Sequence, residues 1–280
     1  MKNDTKDDND TNTHLLELRH VGKTHGNCNG SCNGNDNEEC SGVFEALKDV
    51  NLVIDKGEFV AILGGPGAGK SSLFRILSGL DKPSSGMVFH KGEELKGVSP
   101  YVGVVFQYPT LFPWLSARQN IEIVLKTKKI PPEKRKARTD ELLDIIGIKD
   151  IGDRYPRELS GIAKQQVDFV RAIAIQPDIL LLDEPFTSLD MISAEKLRNE
   201  LMDIWLQRKT ATQAILMITS DIEEAILMAN RIIIIGKKEN DEKGPGRIIS
   251  DIKIDLPYPR QRNDNDLQSI FSKIHAILTG

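Results

Sequence analysis

EFVAILGGPGAGKS, residues 58–71, decides how this chain folds. The opening EFVAIL is short, mostly apolar and bounded by Gly57 and Gly64, the profile of a strand buried on both faces. Gly64, Gly65, Pro66, Gly67, Ala68, Gly69, Lys70 and Ser71 then fit G-x-x-x-x-G-K-[ST], and a helix is expected over 70–79. Glycines let the backbone turn successive N–H groups toward one anion, and the N-terminus of the following helix adds its dipole at the same point. Lys70 is placed to reach the β- and γ-phosphates of a nucleotide, and the Ser71 hydroxyl to ligate Mg2+, with Ser72 beside it.

The same strand-then-polar-end pattern returns at ILLLDEP, residues 179–185. Four aliphatic residues predict a buried strand, and Asp183 and Glu184 fall at its carboxyl end, where open α/β sheets bind their ligands. Asp183 is suited to hold Mg2+ and Glu184 to polarise an attacking water, because phosphoryl transfer asks for positioning and charge stabilisation. Without the P-loop upstream, a solvated Asp-Glu turn would be the better explanation of the pair.

Around these motifs, strands are expected at 15–21, 50–54, 215–219 and 232–235, and helices at 161–175, 192–207 and 222–229. The middle, about 117–155, reads as helical and contains ARQNIEIVL and the charged, periodic EKRKARTDELLDII. Alternating strands and helices imply a parallel sheet with helices on both faces. The fold class is therefore α/β: a P-loop NTPase with a parallel core sheet, an N-terminal antiparallel part and a helical insertion at about 108–160. Residues 1–13 are polar and are expected to be disordered, and 27–42 are a low-complexity loop insertion. The main domain is expected over 14–255, and 256–280 form a tail with one or two short strands before it, a Pro-rich turn and a last helix near 266–278.

With 280 residues, 39% hydrophobic and 28% charged, the chain can bury a substantial core. A net charge of −4 argues against nucleic acid held by bulk charge. No apolar run approaches the ~20 residues of a membrane helix, and MKNDTKDDND lacks a secretory apolar core. The expected place is the cytoplasmic side of the cell membrane, reached peripherally through a partner. Cys28, Cys32 and Cys40, an odd count, argue against a disulfide framework. With His25 they spell H-x2-C-x3-C-x7-C, which could hold a soft metal ion or could be a tolerated polar loop.

Between P-loop and acidic pair lie VVFQ (104–107), LFPWLS (111–116) and YPRELSG (155–161), and after the pair comes SLD (188–190). This order resembles the ATP-binding subunits of ABC transporters, and LFPWLS, YPRELSG and GRIISDIKIDLPYPRQR are similar to segments of the importers for nitrate, sulfonates and taurine. The resemblance implies that Gln107 senses Mg2+ and the γ-phosphate, and that Leu111, Phe112 and Trp114 line the groove receiving a membrane-spanning subunit. For Trp114, ordinary core packing is an equal alternative. It also implies that Ser160 and Gly161 open a helix capping ATP held by a second ATP-binding subunit, identical or different, and that Asp190 links the two ATP sites. A solute-binding protein would be an indirect partner. Two further readings are an ATP-holding subunit with little hydrolysis and a soluble ABC ATPase of translation or DNA repair. The last usually carries paired ATPase units or a long coiled coil, for which 107–160 leaves no room.

The chain departs from the family pattern in three places. It reads LSGIAKQQ, with Ile162 where the family has a second glycine, and a branched side chain there is expected to obstruct a phosphate. After AILMIT, Ser220 stands where the family has a His contacting the γ-phosphate, which predicts slow hydrolysis with ATP binding retained. The expected adenine-stacking aromatic is replaced by either His25 or Phe44.

Overall fold

The computed structural model describes residues 14–26, 43–237, 244–262 and 264–279. The expectations for 1–13 and 27–42, and with them Cys28, Cys32 and Cys40, lie outside the described residues. In chain order the elements begin with β1 (Leu16–His25), β2 (Phe44–Ile54), β3 (Phe59–Leu63), α1 (Lys70–Leu77), β4 (Ser85–His90), β5 (Glu93–Glu94) and β6 (Val102–Val105). There follow α2 (Ala117–Thr127), α3 (Pro132–Ile146), α4 (Gly161–Ala174), β7 (Ile179–Asp183) and α5 (Met191–Leu206). The last are β8 (Ala214–Ile218), α6 (Ile222–Met228), β9 (Arg231–Gly236), β10 (Arg247–Lys253) and α7 (Asn265–Thr279).

Two sheets result. One is antiparallel, in the order β2-β1-β4-β5, and the other runs β10-β9-β3-β8-β7-β6. In the second, β9, β3, β8, β7 and β6 are mutually parallel and β10 closes the edge antiparallel to β9. The parallel strands read as unbroken apolar runs because both faces are covered. Successive side chains alternate between two cores. Phe59, Ala61, Leu63, Leu180, Leu182, Ile215 and Met217 join the core built with α2 to α7. Val60, Ile62, Ile179, Leu181, Leu216 and Ile218 join the core under the antiparallel sheet and α1. One face is thus covered by helices and the other by α1 together with a sheet.

The helical expectation over 117–155 resolves into two helices, α2 and α3, and short turns. The chain breaks between α2 and α3 at Pro131 and Pro132, and α3 stops at Gly147, whose φ of 75° suits a left-handed C-cap. Beyond it, 149–151 and 156–158 are single 3-10 turns. At the other end, α7 is anchored by buried Leu267 and Ile274, and Arg260 caps nearby backbone by donating to the carbonyls of Ile226 and Ala229, both at 2.6 Å. Among the described residues, no helix is long and apolar enough to cross a membrane.

Candidate active site

Four neighbouring parallel strands, β3, β8, β7 and β6, end on one edge of the sheet. β3 runs into the P-loop, β8 into Thr219 and Ser220, β7 into Asp183 and Glu184, and β6 into Phe106 and Gln107. Residues far apart in sequence meet there because strand order differs from chain order, the arrangement that puts ligands at the carboxyl ends of such sheets.

Within the P-loop, Gly65, Pro66 and Gly67 are exposed, while Gly64 and Ala68 are buried beneath them. A Cβ at Gly65 or Gly67 would meet nothing within 4 Å, so the space over the loop is open for a phosphate chain. Gly69 is different: at φ 91° a Cβ would lie 2.5 Å from the Ala46 carbonyl oxygen, so only glycine lets β2 press against the start of α1. Lys70 is half-buried and its Nζ donates to the carbonyls of Gly64 at 2.6 Å and Gly65 at 3.2 Å. Burial pushes its pKa below the usual lysine range, against the opposing pull of Glu184 and Asp183. Ser71 is exposed at the first turn of α1, and Ser72 Oγ lies 2.9 Å from His25 Nε2.

Asp183 is half-buried, and burial first, then the charge of Glu184, raises its pKa, with Lys70 opposing. A carboxylate so placed is electrostatically suited to a cation. Glu184 has a φ of 45°, uncommon for a residue with a side chain, and its amide donates to the Ile218 carbonyl at 2.8 Å. One of its oxygens, Oε2, accepts from Thr187 Oγ1 at 2.8 Å and from Ser220 Oγ at 3.2 Å. Ser220 therefore touches the carboxylate. Thr187 was not legible as a site residue, since nothing in DEPFTSLD marks which side chain turns back.

Behind Ser220, buried Thr219 donates to Glu224 Oε2 at 3.0 Å. Burial, then the charge of Asp221, raises Glu224 to about 7; Arg198 opposes this and Glu184 adds to it. Because the folded chain holds this proton more tightly than the unfolded one, stability on this account falls as pH rises from the ordinary carboxylate range through about 7. Glu224→Gln keeps an acceptor for Thr219 and removes the cost. Urea unfolding at pH 8 is expected to show the variant more stable by about 1–3 kcal/mol, and at pH 5 to show little difference.

A second group surrounds the N-terminus of α4. Ser160 Oγ accepts from the Ala163 amide at 3.3 Å, Gly161 is exposed, and a Cβ there would have Leu189 as its neighbour at 3.7 Å. Asp190 caps α5, accepting from the Ser193 amide at 3.0 Å. Ile162 is half-buried and packs in part against the core. His25 and Phe44 are cross-strand partners on β1 and β2, so the two alternatives for the adenine platform are adjacent. Trp114 is 69% exposed, with its ring 5.5 Å from that of Phe112, which is itself at the surface, and this excludes the core-packing alternative. Buried Asn120 holds that turn: it accepts from the Phe112 amide at 2.8 Å and donates to the Leu115 and Ser116 carbonyls, both at 3.0 Å.

Comparison with known proteins gives the family. The family model described as "ABC transporter" matches residues 47–187. An aliphatic sulfonates import ATP-binding protein of Bacillus licheniformis is 41% identical over 228 residues, 81% of this chain and 85% of that one. A nitrate import ATP-binding protein of Synechocystis sp. is 40% identical over 224 residues, 80% of this chain and 81% of that one. Among solved structures, a dimeric ATP-binding cassette in a post-hydrolysis state with ADP and Pi has a TM-score of 0.68 at 29% identity, covering 85% of this chain and 98% of that one. Matched by the family model over residues 47–187, which span the P-loop, Gln107 and the acidic pair, and by relatives over about four-fifths of its length, this chain belongs to the ABC transporter family as an ATP-binding, ATP-hydrolysing subunit.

Proposed function

We propose that this chain powers an importer for a small anion, such as a sulfonate or nitrate, from the cytoplasmic side of the membrane. The convergence of four strand ends on one edge, with Lys70, Gln107, Asp183, Glu184 and Ser220 among their loops, is the observation that carries the reading. Residues 14–255 form the ATP-binding unit and 256–280 an appended turn and helix. The P-loop amides and Lys70 receive the phosphates once Nζ leaves the Gly64 and Gly65 carbonyls, and Ser72 borders them. Ser71, Gln107 and Asp183 offer hydroxyl, amide and carboxylate oxygens, a hard donor set that fits Mg2+. These residues would hold the ion, whose charge would offset that of the phosphates. Glu184 takes the water proton through the oxygen left free by Thr187 and Ser220. Ser160 and Gly161 face the nucleotide of a second ATP-binding subunit, and Asp190 lies at the seam.

The exposed pair Phe112 and Trp114, with half-buried Leu111, is the docking surface for the membrane-spanning subunit, with the solute-binding protein beyond it. In a strain lacking this chain, uptake of labelled sulfonate or nitrate is expected to be lost and restored by the intact gene. Trp114→Ala is expected to restore it poorly, with co-purification of the membrane subunit weakened about 10-fold or more while ATP affinity is unchanged. Uptake of both anions undisturbed by the deletion would reject the transport reading. Ser220 and Ile162 favour a second reading, in which the chain is the slower half of a pair of unlike subunits. A stable homodimer with full turnover would exclude it.

A further inference from the structure

Helix α4 carries a buried acid that the reaction does not use. Asp168 is 1% exposed, and its Oδ1 accepts from Arg171 Nη2 at 2.5 Å. Its Oδ2 has no hydrogen-bond partner, although the amides of Phe106 and Thr110 face the carboxylate. A carboxylate in such surroundings is costly unless it holds something in place. Arg171, so oriented, spends its other donors on a segment some sixty residues away: Nη1 on the Thr110 carbonyl at 2.8 Å and Nη2 on Thr110 Oγ1 at 2.6 Å. Its guanidinium also lies 5.9 Å from the centre of the Phe112 ring. From the same helix, Gln165 Nε2 donates to the Phe106 carbonyl at 3.3 Å.

The contacts bracket Gln107. Phe106 on one side and Thr110 on the other are both tied to α4, while Gln107 itself is half-buried between them. We infer that Asp168 is a positioning residue: by fixing Arg171 it latches residues 106–112 to α4, and so sets Gln107 at the ATP site, the Phe112 docking surface and the Ser160 end of α4 as one unit. The inference rests on the reading of Gln107 as a group of the ATP site. A planar, five-donor guanidinium is the side chain able to hold a carbonyl, a hydroxyl and a carboxylate together.

The test uses the full chain carrying Asp168→Asn, a neutral isostere, and Arg171→Lys, which keeps charge but loses the fork. Asp168→Ala is added if it folds. Both main variants are expected to speed hydrogen exchange across 106–112 by about 10-fold, leaving the strand at 179–183 unchanged. They are expected to raise the Mg2+ concentration giving half-maximal ATPase about 5- to 10-fold, with kcat at saturating Mg2+ changed by less than about 3-fold, and the double variant is expected to add little. Unchanged exchange in 106–112, or faster exchange spread evenly over the molecule, overturns the latch. Unchanged Mg2+ dependence despite local loosening overturns its role toward Gln107. Glu184→Gln runs alongside: if that variant still hydrolyses ATP, the reading of the site fails, and the exchange result still judges the latch.

Discussion

Glu184→Gln is expected to lower kcat by about 10²- to 10⁴-fold while ATP binds as tightly as before. Glutamine has the shape of glutamate and one carbonyl oxygen, so it still accepts from Thr187 and Ser220, whose hydroxyls now meet on Oε2. What disappears is the charge and the free basic oxygen. Loss of turnover with geometry kept assigns Glu184 to the water, and a dimer that persists in ATP follows if hydrolysis is what releases the two nucleotides. Phosphate release with nucleotide affinity measured in parallel checks both parts. A variant that binds ATP poorly would place Glu184 in binding, and one that turns over normally would move the base elsewhere.

The side chains named here differ in how far the sequence exposed them. Asp183 and Glu184 were legible because they end an apolar run, Lys70 because it closes a glycine-rich loop that follows one, and the strands β3, β7, β8 and β9 were legible as such runs. β4 and β6 were not read as strands. β4 opens with exposed Ser85, Gly86 and Met87, which break any alternation. β6 has only four residues, and its Gly103 is needed because a Cβ there would sit 2.8 Å from the Ala172 carbonyl oxygen, a neighbour no local pattern announces. The order β3-β8-β7-β6 was hidden too, since it depends on packing between distant segments. Contacts such as Thr187 to Glu184 and Arg171 to Thr110 join residues whose spacing carries no periodic signal. Ile162, at the first turn of α4, packs in part against the helical core, a contact that LSGIAKQQ does not announce.

Ser220→His is expected to raise kcat by about 10- to 100-fold, the worth of one added donor aimed at charge that develops in the transition state. Ser220 is exposed at the end of β8 and its hydroxyl reaches Glu184 at 3.2 Å. A serine is too short to hold that carboxylate and also span to a γ-phosphate, whereas an imidazole from the same backbone position is longer and can carry a proton near neutral pH. Thr187 keeps Glu184 in place when the serine contact goes, so a gain in kcat with unchanged ATP affinity isolates the missing phosphate contact. The double variant Glu184→Gln with Ser220→His is expected to stay near the low turnover of Glu184→Gln, since a histidine engaged with the γ-phosphate does not replace the carboxylate at the water. If Ser220→His leaves kcat where it was, the slow step lies outside this contact. The weak partner face of the unlike-subunit reading then becomes the cause to pursue, by adding Ile162→Gly and asking whether turnover rises only when both are present.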